Sequence, residues 1–255
     1  MSFAGSYLRE LGGWIAVADL IRCLQPVGLT ESSVRQALVR LKSRGFLAAE
    51  RRAGEAGYLL TAAGHHDLTT GDRRIFRPAA ATTEDGWVLV VFSVPETQRH
   101  LRHQLRTELS WLGFGTVSPG VWIAPRPLAE PTRALLAEAE LDGYVTWFAA
   151  RHLTDIDVST WWDLDSLRAQ YETFLSEHRS AINESTESAV PDERAFAGYL
   201  RLIDDWRLFP RLDPGLPERL LPAGWPARSA WELFDRLRAA WSEPGLRYVR
   251  AVISG

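Results

Sequence analysis

Between Thr30 and Arg52 the sequence collects short hydroxyls, one amide and several guanidinium groups at spacings that would turn them outward. Val34, Ala37, Leu38 and Leu41 fall at i, i+3, i+4 and i+7, which makes one apolar stripe on a helix. At about 100° per residue, the opposite face carries Ser32, Ser33, Gln36 and Arg40, with Arg35 on its flank. Thr30 is placed to cap this helix and Gly45 to end it. Two strand-like runs follow, residues 46–51 and 58–61, with Arg51, Arg52, Gly54 and Gly57 around the turn. Hydroxyl, amide and fork-shaped side chains of this kind reach base edges and phosphate oxygens. A polar-faced helix followed by a two-stranded ribbon with arginines at its tip predicts a winged helix-turn-helix that contacts DNA. The helix would read sequence, and Arg51 and Arg52 would add affinity through phosphates or the minor groove.

Other chemistries find weaker footing. His100 and His103 are one helical turn apart and His65 and His66 are adjacent, but a structural zinc site needs about four ligands and no neighbour supplies the rest. No metal site is expected. Asp204 and Asp205 point about 100° apart on a helix and form no dyad, while Asp165, near Asp163, reads as the start of a helix. Gly113 and Gly115 lack the dinucleotide-binding spacing. Ser110, Ser118 and Ser159 have no nucleophile-elbow context. No catalytic residue or cofactor is expected.

The 255 residues suffice for two or three domains at roughly 100 residues each. No apolar run approaches the ~20 residues of a membrane span, and no basic, then apolar, leader opens the chain. Cys23 is the only cysteine, which excludes an intrachain disulfide and a cysteine-cluster zinc site, so a cytoplasmic location is expected. The net charge of −3 averages unlike parts. Residues 1–77 hold 11 Arg/Lys against 7 Asp/Glu, a balance of +4, and the remainder 18 against 25, a balance of −7. A basic head on an acidic body fits a protein that meets phosphate with one domain.

Three stretches must position these residues, and together they read as an α+β fold. In 1–78, Val17, Leu20, Ile21 and Leu24 repeat the helical stripe before the Pro26–Gly28 break, and a further helix is expected over 7–11. After the hairpin, Thr61 caps a short helix to about Leu68, and residues 73–85 read as a linker. In 84–160 the order is strand, helix, strand, strand, helix, strand: 87–94, 101–112, 114–117, 121–124, 128–140 and 144–149. That is the ferredoxin-like order, with the first strand buried on both faces and one sheet face free of helices, of the kind a partner often covers. The 161–255 stretch reads as helical, with 183–193 as a polar loop and 208–226 irregular and proline-rich. Six of the eleven tryptophans lie there. Most belong to a core, but Trp161 and Trp162 have flat faces that an aromatic ring could stack on, and Arg201, Arg207, Arg211 or Arg219 could meet the anionic groups of a ligand.

The sequence resembles the PaaX family of bacterial transcriptional regulators over nearly its full length. The likeness rests on SSVRQALVRLKSRGFL (32–47), YLLTAAG (58–64), RRIFRP (73–78), FSVPE (92–96), WLGFG (111–115), PGVWIAPR (119–126), WDLD (162–165) and the proline-rich run 208–226. The resemblance implies a winged helix, a ferredoxin-like middle domain and a helical effector and dimerisation domain. It also implies a repressor of a catabolic operon that is released by an aryl-CoA thioester such as phenylacetyl-CoA. A homodimer would then bind double-stranded DNA at an inverted repeat with half-sites one or two turns apart. The middle domain also resembles small CRISPR-associated ferredoxin-like nucleases, which carry an aspartate where this sequence has Phe92-Ser93-Val94. A nuclease would have to draw on Asp155 and Asp157. A non-DNA interaction adaptor is the remaining alternative.

Overall fold

The computed structural model describes residues 1–76, 86–151, 157–187 and 190–255, with backbone only at Arg73, Arg74, 183–187 and Arg211. The chain is α+β with two antiparallel sheets. Its first part comprises β1 (Trp14–Ala16), α1 (Val17–Leu24), α2 (Glu31–Ser43), β2 (Leu47–Arg52), β3 (Glu55–Leu60) and α3 (Ala62–Ile75). Next come β4 (Trp87–Phe92), α4 (Arg99–Trp111), β5 (Gly115–Ser118), β6 (Val121–Pro125), α5 (Ala129–Glu138) and β7 (Val145–Ala150). The remainder is α6 (Leu164–Glu187), α7 (Asp192–Trp206), α8 (Phe209–Leu212) and α9 (Ala227–Ser254). Packing groups these into two compact units, one of Met1–Phe76, Phe174–Trp206 and Ser229–Gly255, the other of Arg77–Thr173 and Arg207–Arg228. No described helix is long and apolar enough to cross a membrane.

In the first unit a π-helical turn, Ala4–Leu8, stands where a helix over 7–11 was expected. β1, too short to leave a periodic signature, adds a third strand to the hairpin in the order β1-β3-β2. The hairpin turn is the pair Ala53–Gly54, tighter than expected, with φ of 48° and 86° as a type I′ turn requires. Across the sheet Gly57 is obligatory, because a Cβ there would lie 2.4 Å from the Trp14 ring. α3 runs about two turns past Leu68, so Arg73 and Arg74 are helical and not linker. Tertiary contacts carry it through the weak helix formers Thr69, Thr70 and Gly71: Arg9 pairs with Asp72 at 2.6 Å, and the Trp206 indole donates to the Ile75 carbonyl at 3.0 Å. The expected linker residues 77–85 lie outside the described residues.

The same unit packs Tyr7 against Phe196 of α7 with ring centroids 5.3 Å apart. Gly245 of α9 makes this possible, since a Cβ there would stand 2.4 Å from the Tyr7 hydroxyl. α6 extends to Glu187 and α7 begins at Asp192, so most of the expected polar loop 183–193 is helical. Extending a helix that is already nucleated needs little from each added residue, and Glu184 and Glu187 are good helix formers.

In the second unit the sheet order is β5-β6-β4-β7, all antiparallel. Val88, Val90, Phe92, Trp122 and Ala124 face Leu105 and Leu109 of α4 and Leu136 of α5. The opposite face is not bare. Trp87 and Ile123 are covered by Val158, Trp162, Leu164 and Leu216 of the same chain. Val91 and Phe148, farther along, stay 37% and 49% exposed, so β4 is buried on only one face at that end.

Candidate nucleic-acid interface

The α2 helix folds as its stripe dictates: Val34 and Leu38 are buried, while Ala37 and Leu41 are half-buried. Thr30 caps it, its hydroxyl oxygen accepting the Ser33 N–H at 3.2 Å. The Ser33 hydroxyl donates back to the Thr30 carbonyl at 2.7 Å. Thr30 and Ser33, expected on the contact face, are therefore engaged with each other, and Ser33 is half-buried. Ser32, Arg35, Gln36 and Arg40 are exposed, and with Glu31 and Val39 they line an open concavity. Among the described residues, Ser32, Gln36 and Arg40 have no side-chain partner within the protein. Arg35 reaches back one turn to Glu31, Nε to Oε1 at 2.7 Å. The positive outer face is thus held in a defined shape on one flank and left open on the other.

At the hairpin tip, Arg51 and Arg52 are both exposed but differently engaged. Arg51 donates to the Gly54 carbonyl at 2.9 Å and closes the turn. Arg52 pairs with Glu50 at 2.6 Å and lies over the Trp14 ring at 5.4 Å. The helix side-chain pattern gave no role to Glu31, Val39, Lys42 or Arg44, all of which are exposed on or just beyond α2. The cations among them carried a signal in the local excess of basic residues.

The ring-binding candidates have a different fate. Trp162 is buried, donates its indole N–H to the Gly113 carbonyl at 2.9 Å, and sits against Gly115, where a Cβ would lie 2.7 Å from its ring. Trp161 is half-buried, its ring edge-on to Trp87 at 6.2 Å. Both belong to the second unit, with exposed Arg207 and Arg219, whereas exposed Arg201 belongs to the first. The Arg211 side chain lies outside the described residues. Asp213 is the perturbed acid of the second unit: the Tyr171 hydroxyl donates to it at 2.6 Å and the Gly215 N–H at 2.7 Å, yet burial holds its carboxyl above the ordinary value.

Metal and nuclease chemistry gain little. His65, His66, His100 and His103 are exposed, and the one His/Asp/Glu trio among the described residues is elsewhere, Glu177, His178 and Asp205. There His178 Nε2 and Asp205 Oδ2 lie 2.9 Å apart and join α6 to α7. Asp157 caps a 3₁₀ turn by accepting the Ser159 N–H at 3.0 Å, and Asp155 lies outside the described residues. Cys23 is fully buried, and burial with the nearby Asp19 charge pushes its thiol up to about 12.

Fold and site together define a two-sheet α+β protein whose amino-terminal head holds a polar, basic helix face outward. Residues 1–64, 80–161 and 162–251 match, in turn, the families described as PaaX-like protein, PaaX protein central Cas2-like domain, and PaaX-like protein C-terminal domain. The transcriptional repressor PaaX of Escherichia coli strain K12 is 30% identical, over 91% of this chain and 76% of that protein. The chain belongs to the PaaX family. In fold it is similar to the uncharacterized protein Rv0674 of Mycobacterium tuberculosis, with a TM-score of 0.63, 22% identity, and coverage of 97% of this chain and 95% of that one.

Proposed function

We propose that this protein is a DNA-binding transcriptional repressor. The observation that carries the reading is the outer face of α2, where Ser32, Arg35, Gln36 and Arg40 are exposed while the opposite stripe is buried. In this reading α1 and α2 form the helix pair and β2–β3 the wing of a winged helix, and 84–160 is a ferredoxin-like domain, in line with the strand order β5-β6-β4-β7. Arginine pairs with guanine and glutamine with adenine in the major groove, while Arg40, Lys42, Arg44 and Arg51 meet phosphates. The partner is double-stranded DNA at an inverted-repeat operator bound by a homodimer in the cytoplasm. The effector is a small molecule of the acyl-CoA thioester class, aryl-CoA first. It acts by favouring a dimer geometry that fits the operator less well.

The test is retardation and footprinting of DNA upstream of the gene by the full-length protein, with and without a panel of acyl-CoA thioesters. Arg35→Ala with Gln36→Ala should lower specific affinity by about 100-fold or more, at roughly 1–3 kcal/mol per bidentate contact. Stability should change by less than about 0.5 kcal/mol, because both residues are exposed. Specific binding retained by this variant overturns the assignment of α2.

A further inference from the structure

Val39 is 62% exposed, more than Trp111 at 57% or any other large apolar residue of the described chain. It sits on the outer face of α2, three residues after Gln36, four after Arg35 and beside Arg40, and it helps line the same concavity. Nothing in the folding of α2 asks for it. The buried stripe is complete without it, and a β-branched side chain on an exposed helix site gives up rotamer freedom with no burial in return. The neighbouring ion pair adds a second observation. Glu31 holds the Arg35 guanidinium at 2.7 Å, toward the first turn, whereas Val39 lies one turn the other way, so its methyls are left uncovered.

We infer that Val39 is a specificity-determining residue that reads a thymine methyl group. The inference rests on the DNA-binding reading and deepens it. Thymine alone among the four bases presents a methyl group to the major groove, and apolar contact, not a hydrogen bond, reads it. On this face Arg35 and Gln36 match purine edges, and Val39 supplies the one apolar surface between them and Arg40 that a C5-methyl can touch. The operator half-site therefore contains a thymine within one to two base pairs of the purines read by Arg35 and Gln36.

The experiment is in vitro selection by the full-length protein from a random-sequence duplex library, followed by direct competition on the enriched duplex. Deoxyuridine replaces each thymine in turn, which removes only the methyl. For the natural protein, one substitution should weaken binding by about three- to tenfold, roughly the worth of one buried methyl. For Val39→Ala, the same substitution should cost less than about twofold, while affinity for unrelated duplex is unchanged. Equal deoxyuridine penalties for both proteins, or none for either, would overturn the role of Val39 and leave the α2 assignment standing. No enrichment and no duplex retention by the natural protein would overturn the underlying reading as well.

Discussion

The outer face of α2 and the Trp161–Trp162 step both read as ligand-contacting surfaces in the sequence, and the structure engages them in opposite ways. On α2 the cap joins Thr30 to Ser33 and Arg35 pairs with Glu31, while Ser32, Gln36 and Arg40 have no side-chain partner among the described residues. At the step, the Trp162 N–H already has the Gly113 carbonyl and the ring already has Trp87, 6.1 Å away. Residue type therefore does not decide which is a binding surface. The decision lies in whether a donor or ring has found a partner inside its own unit.

Six substitutions bear on that contrast, beginning with the most damaging. Trp162→Ala should cost about 3–5 kcal/mol of stability, from the lost ring and the orphaned carbonyl. A urea midpoint that barely moves would mean the residue is not committed to the core after all. Gly245→Ala, in the other unit, should cost about 1–3 kcal/mol by crowding the Tyr7 hydroxyl. That hydroxyl is buried without a partner, so adding Tyr7→Phe should recover part of the loss in a double-mutant cycle.

Asp213 separates commitment from charge. Because burial raises its carboxyl in the folded protein, the native state keeps a proton that the unfolded chain has released. Stability from this group is then greatest at low pH and falls as pH rises through the raised value. Asp213→Asn should flatten the stability profile as pH rises above the ordinary aspartate range, measured by urea titration at each pH. The smallest effect is expected at the hairpin. Arg52→Ala should remove about 0.5–1 kcal/mol along with its contact to Trp14, and Arg51→Ala less. Both should weaken DNA retardation, most clearly at low salt. Equal binding losses would show that stacking on Trp14 leaves Arg52 as available as Arg51.

Much of this architecture could be read from periodicity. The α2 stripe, the hairpin and the alternation of strands and helices in the middle stretch are local patterns, and their bounds agree within two residues except that β3 starts three residues early. What escaped was set by distant contacts. β1 exists because β3 offers it an edge, α3 continues because Trp206 and Arg9 hold its end, and the helix-free sheet face is covered by residues more than thirty positions away. The candidate site divides in the same way. Arg35, Gln36 and Arg40 follow from helix geometry, whereas the engagement of Ser33 depends on cap geometry and that of Trp162 on a carbonyl 49 residues earlier. Val39 leaves no signal in a pattern of polar side chains, because it is the apolar exception on that face.

The packing of Tyr7 between Phe196 and Gly245 has a consequence for biogenesis. The head is synthesised before α7 and α9, yet the surfaces that close its core belong to those helices, more than 180 residues later. Until those helices arrive, an aromatic cluster meant for the interior faces the cell. A nascent or truncated chain should therefore be a chaperone client, and α2 should gain a firm footing only once synthesis has reached α9.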